Sequence, residues 1–339
     1  MARSTFAEFG NALYTGEKSI NFIGRRKTWY LIAAVMIVIA IVGPLLRGGF
    51  TFGIEFTGGS QFQIHTTDGN RDQSLAVDAV ESVLPGSAPR VSMVGQSDIR
   101  VQTEQLEDTQ SRELHTALAE AYGVSPDEVT ASYIGALWGK DITRQALIGL
   151  GVFILFAALV MALYFRTWKM SLAAIIALFH DLILTAGIYG ISGFEITPAA
   201  VIGFLTILGY SLYDTVVVFD KIRENTSPGE LNDRRTFAES VNLAVNQTLV
   251  RSINTSVVAL LPVASILFIG AFVLGAGTLR DIALALFIGI LVGAYSTIFI
   301  AAPMYVQLRQ NEPEIKKQAA RVLKARAREA DSNSEPSLV

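Results

Sequence analysis

Six apolar runs, each close to the length of a bilayer span, restrict what this chain can fold into more than any other feature. They cover Trp29–Leu46, Ile142–Phe165, Met170–Ile191, Pro198–Phe219, Ile253–Leu274 and Ile282–Val306. A hydrocarbon layer of about 30 Å takes roughly 20 residues of helix to cross, so these runs predict an α-helical integral membrane protein with six transmembrane helices. Composition agrees, because 51% hydrophobic residues and a mean hydropathy of +0.43 are too apolar for an ordinary soluble domain.

The basic residues between the runs give an expected orientation. Arg25, Arg26 and Lys27 precede the first run, Arg166 and Lys169 join the second to the third, and Lys221, Arg223, Arg234 and Arg235 join the fourth to the fifth. The third-to-fourth loop carries Glu195 and no Lys or Arg. By the positive-inside rule both termini are cytoplasmic. The tail, with Lys316, Lys317, Arg321, Lys324, Arg326 and Arg328, falls on the same side. The first run is read as a retained span rather than a cleaved signal, since its polar lead is long and no small-x-small site follows.

Between the first and second runs the character becomes that of a soluble domain. Phe52–Thr66 reads as a strand, Asp72–Leu84 as a helix, Arg90–Thr103 as two strands around a turn at Gly95, Thr109–Tyr122 as a helix and Glu128–Leu137 as a strand. That order is the ferredoxin-like split unit. The expected division is a cytoplasmic segment 1–27, a first span 28–47, one extracytoplasmic ferredoxin-like α+β domain 48–141, a five-helix bundle 142–307 and a basic tail 308–339. Residues 311–328 suit either a basic helix or a solvated tail, and 330–339 read as disordered.

Several chemistries are disfavoured. Without cysteine there is no disulfide or thiolate metal site, and His65, His115 and His180 lack metal-ligand spacing. The net charge of -3 leaves no nucleic-acid footprint. The glycines of Phe52–Gly59 lack the Gly-Lys-Ser/Thr ending of a phosphate loop. They suit a close backbone approach where the domain joins the membrane, at Glu55, Gly58 and Gly59. Neither a cofactor nor a catalytic site is expected.

The charged groups inside the runs point to function. Asp214 lies six residues, roughly 9 Å of helix, inside Asp220, and a charge deep in a bilayer costs about 2.5–3.5 kcal/mol on insertion scales. Thr206, Tyr210 and Asp214 recur every four residues and share a helix face that should avoid lipid. Arg251, Asn254 and Thr255 share a face at the start of the fifth run. Arg251 suits either a counter-ion to Asp214 or a side chain snorkelling to the headgroups. His180-Asp181, in the middle of the third run, suits either a protonatable relay with Asp214 or a hydrogen-bonded packing pair. Gly289 and Gly293 make the sixth run a close-packing helix.

These stretches together resemble the SecD/SecF family of bacterial protein-export membrane subunits. The resemblance covers nearly the whole chain and rests on Phe52–Gly59, Ala177–Asp181, Gly209–Asn225, Gln247–Ser256 and Gly289–Pro303. Glu55 stands where the family usually has Asp, and Lys221 where it has Arg. The resemblance implies the resistance-nodulation-division superfamily fold, with this chain supplying six spans and a SecD-like subunit the other six. It also implies a place in the bacterial cytoplasmic membrane beside the SecYEG channel, using the proton motive force to assist a translocating preprotein. By motif position it links Asp214 and Arg251 with proton passage.

Overall fold

The structure is a computed structural model, and it describes residues 2–66, 72–94, 97–165, 167–227, 234–270 and 277–334. The first half of the chain forms α1 (Ala2–Thr15), α2 (Arg26–Leu46), α3 (Ile54–Thr57), β1 (Gly59–His65), α4 (Gln73–Val83), β2 (Arg90–Val94), β3 (Asp98–Thr103), α5 (Asp108–Tyr122) and β4 (Val129–Ile134). Then come α6 (Ala136–Phe165), α7 (Trp168–Ser192), α8 (Pro198–Asn225), α9 (Phe237–Ser265), α10 (Gly277–Ser296), α11 (Ala302–Arg309) and α12 (Pro313–Ser334). Helix α9 runs into a π-helical turn at Ile266–Gly270, and another at Thr297–Ala301 joins α10 to α11.

Among the described residues, six helical stretches are long and apolar enough to cross a membrane: α2, α6, α7, α8, α9 with its π-turn, and α10 through α11. The chain is a multi-pass α-helical membrane protein. Helices α7, α8 and α10 form the centre of the bundle, while α2, α6 and the outer half of α9 expose most of their apolar surface. Small residues let the central helices approach. A methyl at Gly203 would sit 2.6 Å from Ala285 Cβ, and one at Gly289 would overlap Ile207.

The soluble domain is one antiparallel sheet in the order β2-β3-β1-β4, with α4 and α5 between strands in sequence. Phe62 pairs with Val101 of β3 on one side and Ala131 of β4 on the other. Alternate residues of the strands, Phe62, Ile64, Ile99 and Val101, pack against Ala76, Val80, Leu114 and Leu118 of the two helices. This is the ferredoxin-like arrangement expected from the sequence.

Four boundaries differ from the sequence expectation. Phe52–Thr66 is not one strand: α3 occupies Ile54–Thr57, and Gly58 and Gly59 turn the backbone through φ of 76° and 137° before β1 begins. The last strand stops at Ile134, because α6 starts at Ala136. The fifth membrane helix starts at Phe237 rather than Ile253, where Thr236 and Glu239 close a reciprocal capping box. The segment before the first span carries α1 and then packs on α9, with Asn242 and Asn246 side chains accepting from the amides of Phe22 and Ile20 at 2.9 and 2.8 Å. Of the two tail readings for 311–328, the helix is the one observed, and α12 runs on to Ser334, so 330–334 are helical where disorder was expected. The turn at Gly95, Arg166, the end of the fifth run at 271–274 and residues 335–339 lie outside the described residues.

Candidate functional site

Helix α8 carries the first candidate group. Asp214 is 4% exposed. Its Oδ1 accepts a hydrogen bond from Ser252 Oγ of α9 at 3.0 Å, and its Oδ2 is buried with no hydrogen-bond partner. A carboxylate so placed keeps half of its accepting capacity unused, which is costly while it is charged.

Arg251 is not the partner. Among the described residues no ion pair joins it to Asp214. The guanidinium is on an exposed position facing a cavity shared with Tyr164, Asp220, Lys221 and Gln247. One residue along a helix is a turn of about 100°. The packing of α9 spends the inward position on Ser252 and leaves Arg251 at the rim.

The second acidic group sits one turn away. Asp181 of α7 is 1% exposed; its Oδ2 accepts from Ser211 Oγ at 2.5 Å and its Oδ1 lies 3.2 Å from His180 Nδ1. Ser211 and Asp214 are three residues apart on α8, hence on one face. The groups therefore run His180, Asp181, Ser211, Asp214, Ser252 across three helices. A fourth helix, α10, closes the cluster with the π-helical turn that follows it: Gly293 of α10 backs the Asp181–Ser211 bond, and Thr297 Oγ1 of the turn meets Thr215 Oγ1 at 3.0 Å. The Tyr295 ring lies 6.1 Å from that of His180. His180 Nε2 and Tyr295 Oη are both buried without a hydrogen-bond partner.

A hydroxyl can donate and accept at once. Ser211 between Asp181 and the next turn is thus a group through which a proton could be handed on, whereas a methyl there could not do so.

The expected polar face of α8 divides in two. Asp214 points inward, but Thr206 is exposed and bonds only its own helix at Ile202, and Tyr210 reaches the Thr255 carbonyl oxygen of α9 at 3.1 Å. Asn254 is exposed on α9, next in sequence to Thr255. Thr206, Tyr213 and Asn254 thus place polar groups on the outer surface of this chain at membrane depth.

Sequence reasoning missed Ser252 and Asp281. The latter lies one residue before the sixth apolar run, Ile282–Val306. It is buried at the other end of α8, where Thr197 Oγ1 donates to its Oδ2 at 2.9 Å, Arg280 lies 3.3 Å from its Oδ1, and its carbonyl accepts from Tyr189 Oη at 3.0 Å. An Arg-Asp pair abutting an apolar run is the signal that could have found it.

The joint between domain and membrane is built from the same loop. Gly53 N donates to Ile196 O at 3.0 Å and Ile196 N to Thr51 O at 2.7 Å, making a short parallel bridge. Arg100 and Gln102 of β3 grip Glu195 at 3.0 and 2.6 Å. Burial pushes the Glu55 carboxyl above its usual range, opposed by a backbone hydrogen bond, with Glu195 adding to the rise and Arg100 countering it. Gly58 and Gly59 carry the turn; a Cβ on Gly59 would stand 2.5 Å from the Thr103 carbonyl oxygen, so no side chain fits.

Six spans with buried carboxylates at a helix junction, and one ferredoxin-like domain gripped by the loop between two of those helices, define a membrane transport subunit. The family model for the C-terminal part of protein export membrane proteins SecD/SecF matches residues 114–311, and the SecD/SecF GG motif matches 45–68. The protein translocase subunit SecF of Streptomyces coelicolor is 45% identical over 328 residues, 96% of this chain and 87% of that one. That of Mycobacterium tuberculosis is 40% identical over 337 residues, 96% of this chain and 75% of that one. The crystal structure of SecDF, a translocon-associated membrane protein from Thermus thermophilus, superposes with a TM-score of 0.73 at 32% identity, over 87% of this chain and 39% of that one. The chain belongs to the SecD/SecF protein-export family.

Proposed function

We propose that this chain is the SecF-like subunit of the Sec protein-export machinery, coupling the proton motive force to preprotein translocation across the bacterial cytoplasmic membrane. The observation that carries the coupling is Asp214: a carboxylate buried in a membrane helix, with one oxygen unpartnered, one turn from the Asp181–Ser211 hydrogen bond. A proton crossing a 100 mV potential releases about 2.3 kcal/mol, close to the insertion cost of about 2.5–3.5 kcal/mol for a charged aspartate. Protonation of Asp214 is therefore a step whose energy matches the driving force. His180 and Asp181 serve as a second relay point. Arg251 stands at the basic rim of the route.

The working assembly has a SecD-like subunit as its other half. The relative from Thermus thermophilus carries both in one chain, and this chain covers 39% of it. The exposed polar groups Thr206, Tyr213 and Asn254 supply a surface that such a half would cover. The SecYEG channel and the preprotein are the further partners. Both termini face the cytoplasm, and the ferredoxin-like domain faces the opposite side, where Glu55, Gly58 and Gly59 link it to the bundle.

The test is proton flux and preprotein translocation in vesicles that hold the complex with its SecD-like partner. Asp214→Asn is expected to abolish proton-dependent translocation while the complex is recovered in normal yield. Translocation equal to wild type would refute the coupling. If recovery and export fell in parallel, Asp214 would be a packing residue of a non-transducing scaffold.

A further inference from the structure

A second site lies at the N-terminal end of the first span, away from the acidic cluster. The segment 16–28 and the start of α9 enclose a cavity of about 930 Å³ lined by Arg25, Arg26, Lys27, Arg235 and Arg326. Its lining holds one carboxylate, Glu239, which is taken by Arg326 at 2.9 and 2.7 Å. Among the described residues no ion pair involves Arg25, Arg26, Lys27 or Arg235. Arg26 donates only to the neutral Gln310, at 2.7 Å. The first turn of α2, which lines the cavity with Arg26, Lys27 and Thr28, has neither an acidic residue nor a side-chain cap. The amides of Arg26 and Thr28 are taken by the Ile23 and Arg25 carbonyls, at 3.3 and 2.9 Å, so the positive field of the cup comes from its side chains.

Beside this cup lies a second space of different character. A cleft of about 780 Å³ runs between α2, α9 and α10, lined by Phe22, Trp29, Leu249, Ile253, Ile298 and Phe299. Ser19, Asn21 and Arg25 border both spaces. Uncompensated cations at the mouth of a membrane span, adjacent to an apolar cleft beside that span, match one kind of molecule in both chemistry and position. A free phosphate would use the cup and leave the cleft unexplained.

We propose that these two spaces bind one anionic glycerophospholipid, with its phosphodiester among Arg25, Lys27 and Arg235 and one acyl chain in the cleft beside Trp29. The inner end of the cleft is bordered by Ser252 and Tyr295, the residues next to Asp214 and His180. An acyl chain in place closes the acidic cluster to water from that side. The proposal stands on the basic cup and its cleft, and does not depend on whether Asp214 carries protons.

The test uses the full chain in lipid nanodiscs. Trp29 is one of three tryptophans, so Trp138→Phe with Trp168→Phe leaves it as the sole fluorophore. Chain-brominated phosphatidylglycerol, diluted into phosphatidylcholine, is expected to quench Trp29 at a mole fraction at least about tenfold lower than brominated phosphatidylcholine does, given the attraction of each cation for anionic lipid. Arg25→Gln/Lys27→Gln/Arg235→Gln removes that preference, and Arg25→Lys/Arg235→Lys keeps it. Should the neutralised variant fail to fold, wild type is titrated with salt, and the preference falls as ionic strength rises. Equal quenching by both lipids, a preference unchanged in the folded neutralised variant, or a salt-insensitive preference overturns the proposal. Loss of the preference when millimolar glycerol phosphate is added overturns the lipid and assigns the cup to a free phosphate.

Discussion

The grip of the soluble domain on Glu195 can be measured. Glu195 accepts from Arg100 at 3.0 Å and Gln102 at 2.6 Å, and both members of the ion pair are 13% exposed. Arg100 Nε is buried without a partner, so the guanidinium depends on this one carboxylate. Removing one member of a fully buried pair costs about 3–5 kcal/mol, mostly through the charge left behind. The residual exposure lowers that to about 2–3 kcal/mol for Glu195→Ala. At about 1.4 kcal/mol per factor of ten, opening of the joint becomes roughly 30- to 150-fold easier. The amides of Gly53 and Ile196, which close the neighbouring bridge, report it by hydrogen exchange of the full chain in detergent. Glu195→Gln should fall between, since it keeps an acceptor for Gln102. In a double-mutant cycle with Arg100→Leu the two changes should be non-additive by about 1–2 kcal/mol. Acceleration below about threefold, or strict additivity, would refute the view that this pair holds the domain to the membrane.

Three further outcomes are expected. Gly289→Ala puts a methyl onto Ile207; it should separate α8 from α10 and lower stability by about 1–3 kcal/mol, read as a loss of thermal stability in detergent. Burial raises the Glu312 carboxyl, but donors on Arg309 and Lys169, at 2.8–3.0 Å, outweigh it and hold the group below its usual range. A depressed carboxylate stabilises the fold above its unfolded value and loses that contribution as pH falls through the folded value, so the corner between α11 and α12 should open to pepsin below about pH 4, and Glu312→Gln should flatten the dependence. Ser211→Ala removes the hydroxyl that donates to Asp181; proton flux should fall about tenfold, the scale of one buried charge-assisted hydrogen bond, with complex recovery unchanged.

What could be read in advance follows from which forces are local. Bilayer thickness acts on every residue of a span, so the apolar runs betrayed the six helices, and period-two alternation betrayed the ferredoxin-like sheet. Asp214 stood out because a carboxylate in such a run needs a reason. Its partner did not, because a helix face tells which residues travel together and not how far the helix is turned toward its neighbour. Arg251 and Ser252 are one step apart, and the packing of α9 on α8 chose the serine. The start of α9 was legible in principle: Thr236 and Glu239 spell a capping box, but its first turns are polar and hydropathy passes over them. The packing of segment 16–24 on α9 depends on Asn242 and Asn246, more than two hundred residues away in sequence. No local pattern announces such a pair. The break at Gly58–Gly59 came from a steric limit, the Thr103 carbonyl, that exists only once β1 and β3 are paired.

Glu195 sits on the loop that joins α7 to α8, the helices that carry Asp181 and Asp214. The sheet is thus fastened at three places: to α2 through Gly58–Gly59, to α6 through β4, and to that loop through Arg100 and Gln102. Three anchor points fix a plate in space. If that loop shifts by about 1 Å along the helix axes relative to α2 and α6, about one interhelical spacing of 8–10 Å away, the plate must tilt by about 6°. Over a domain of about 30 Å that tilt displaces the far edge by roughly 3 Å. The geometry is that of a crank, with a short throw among the buried carboxylates and a longer one at the rim of the sheet.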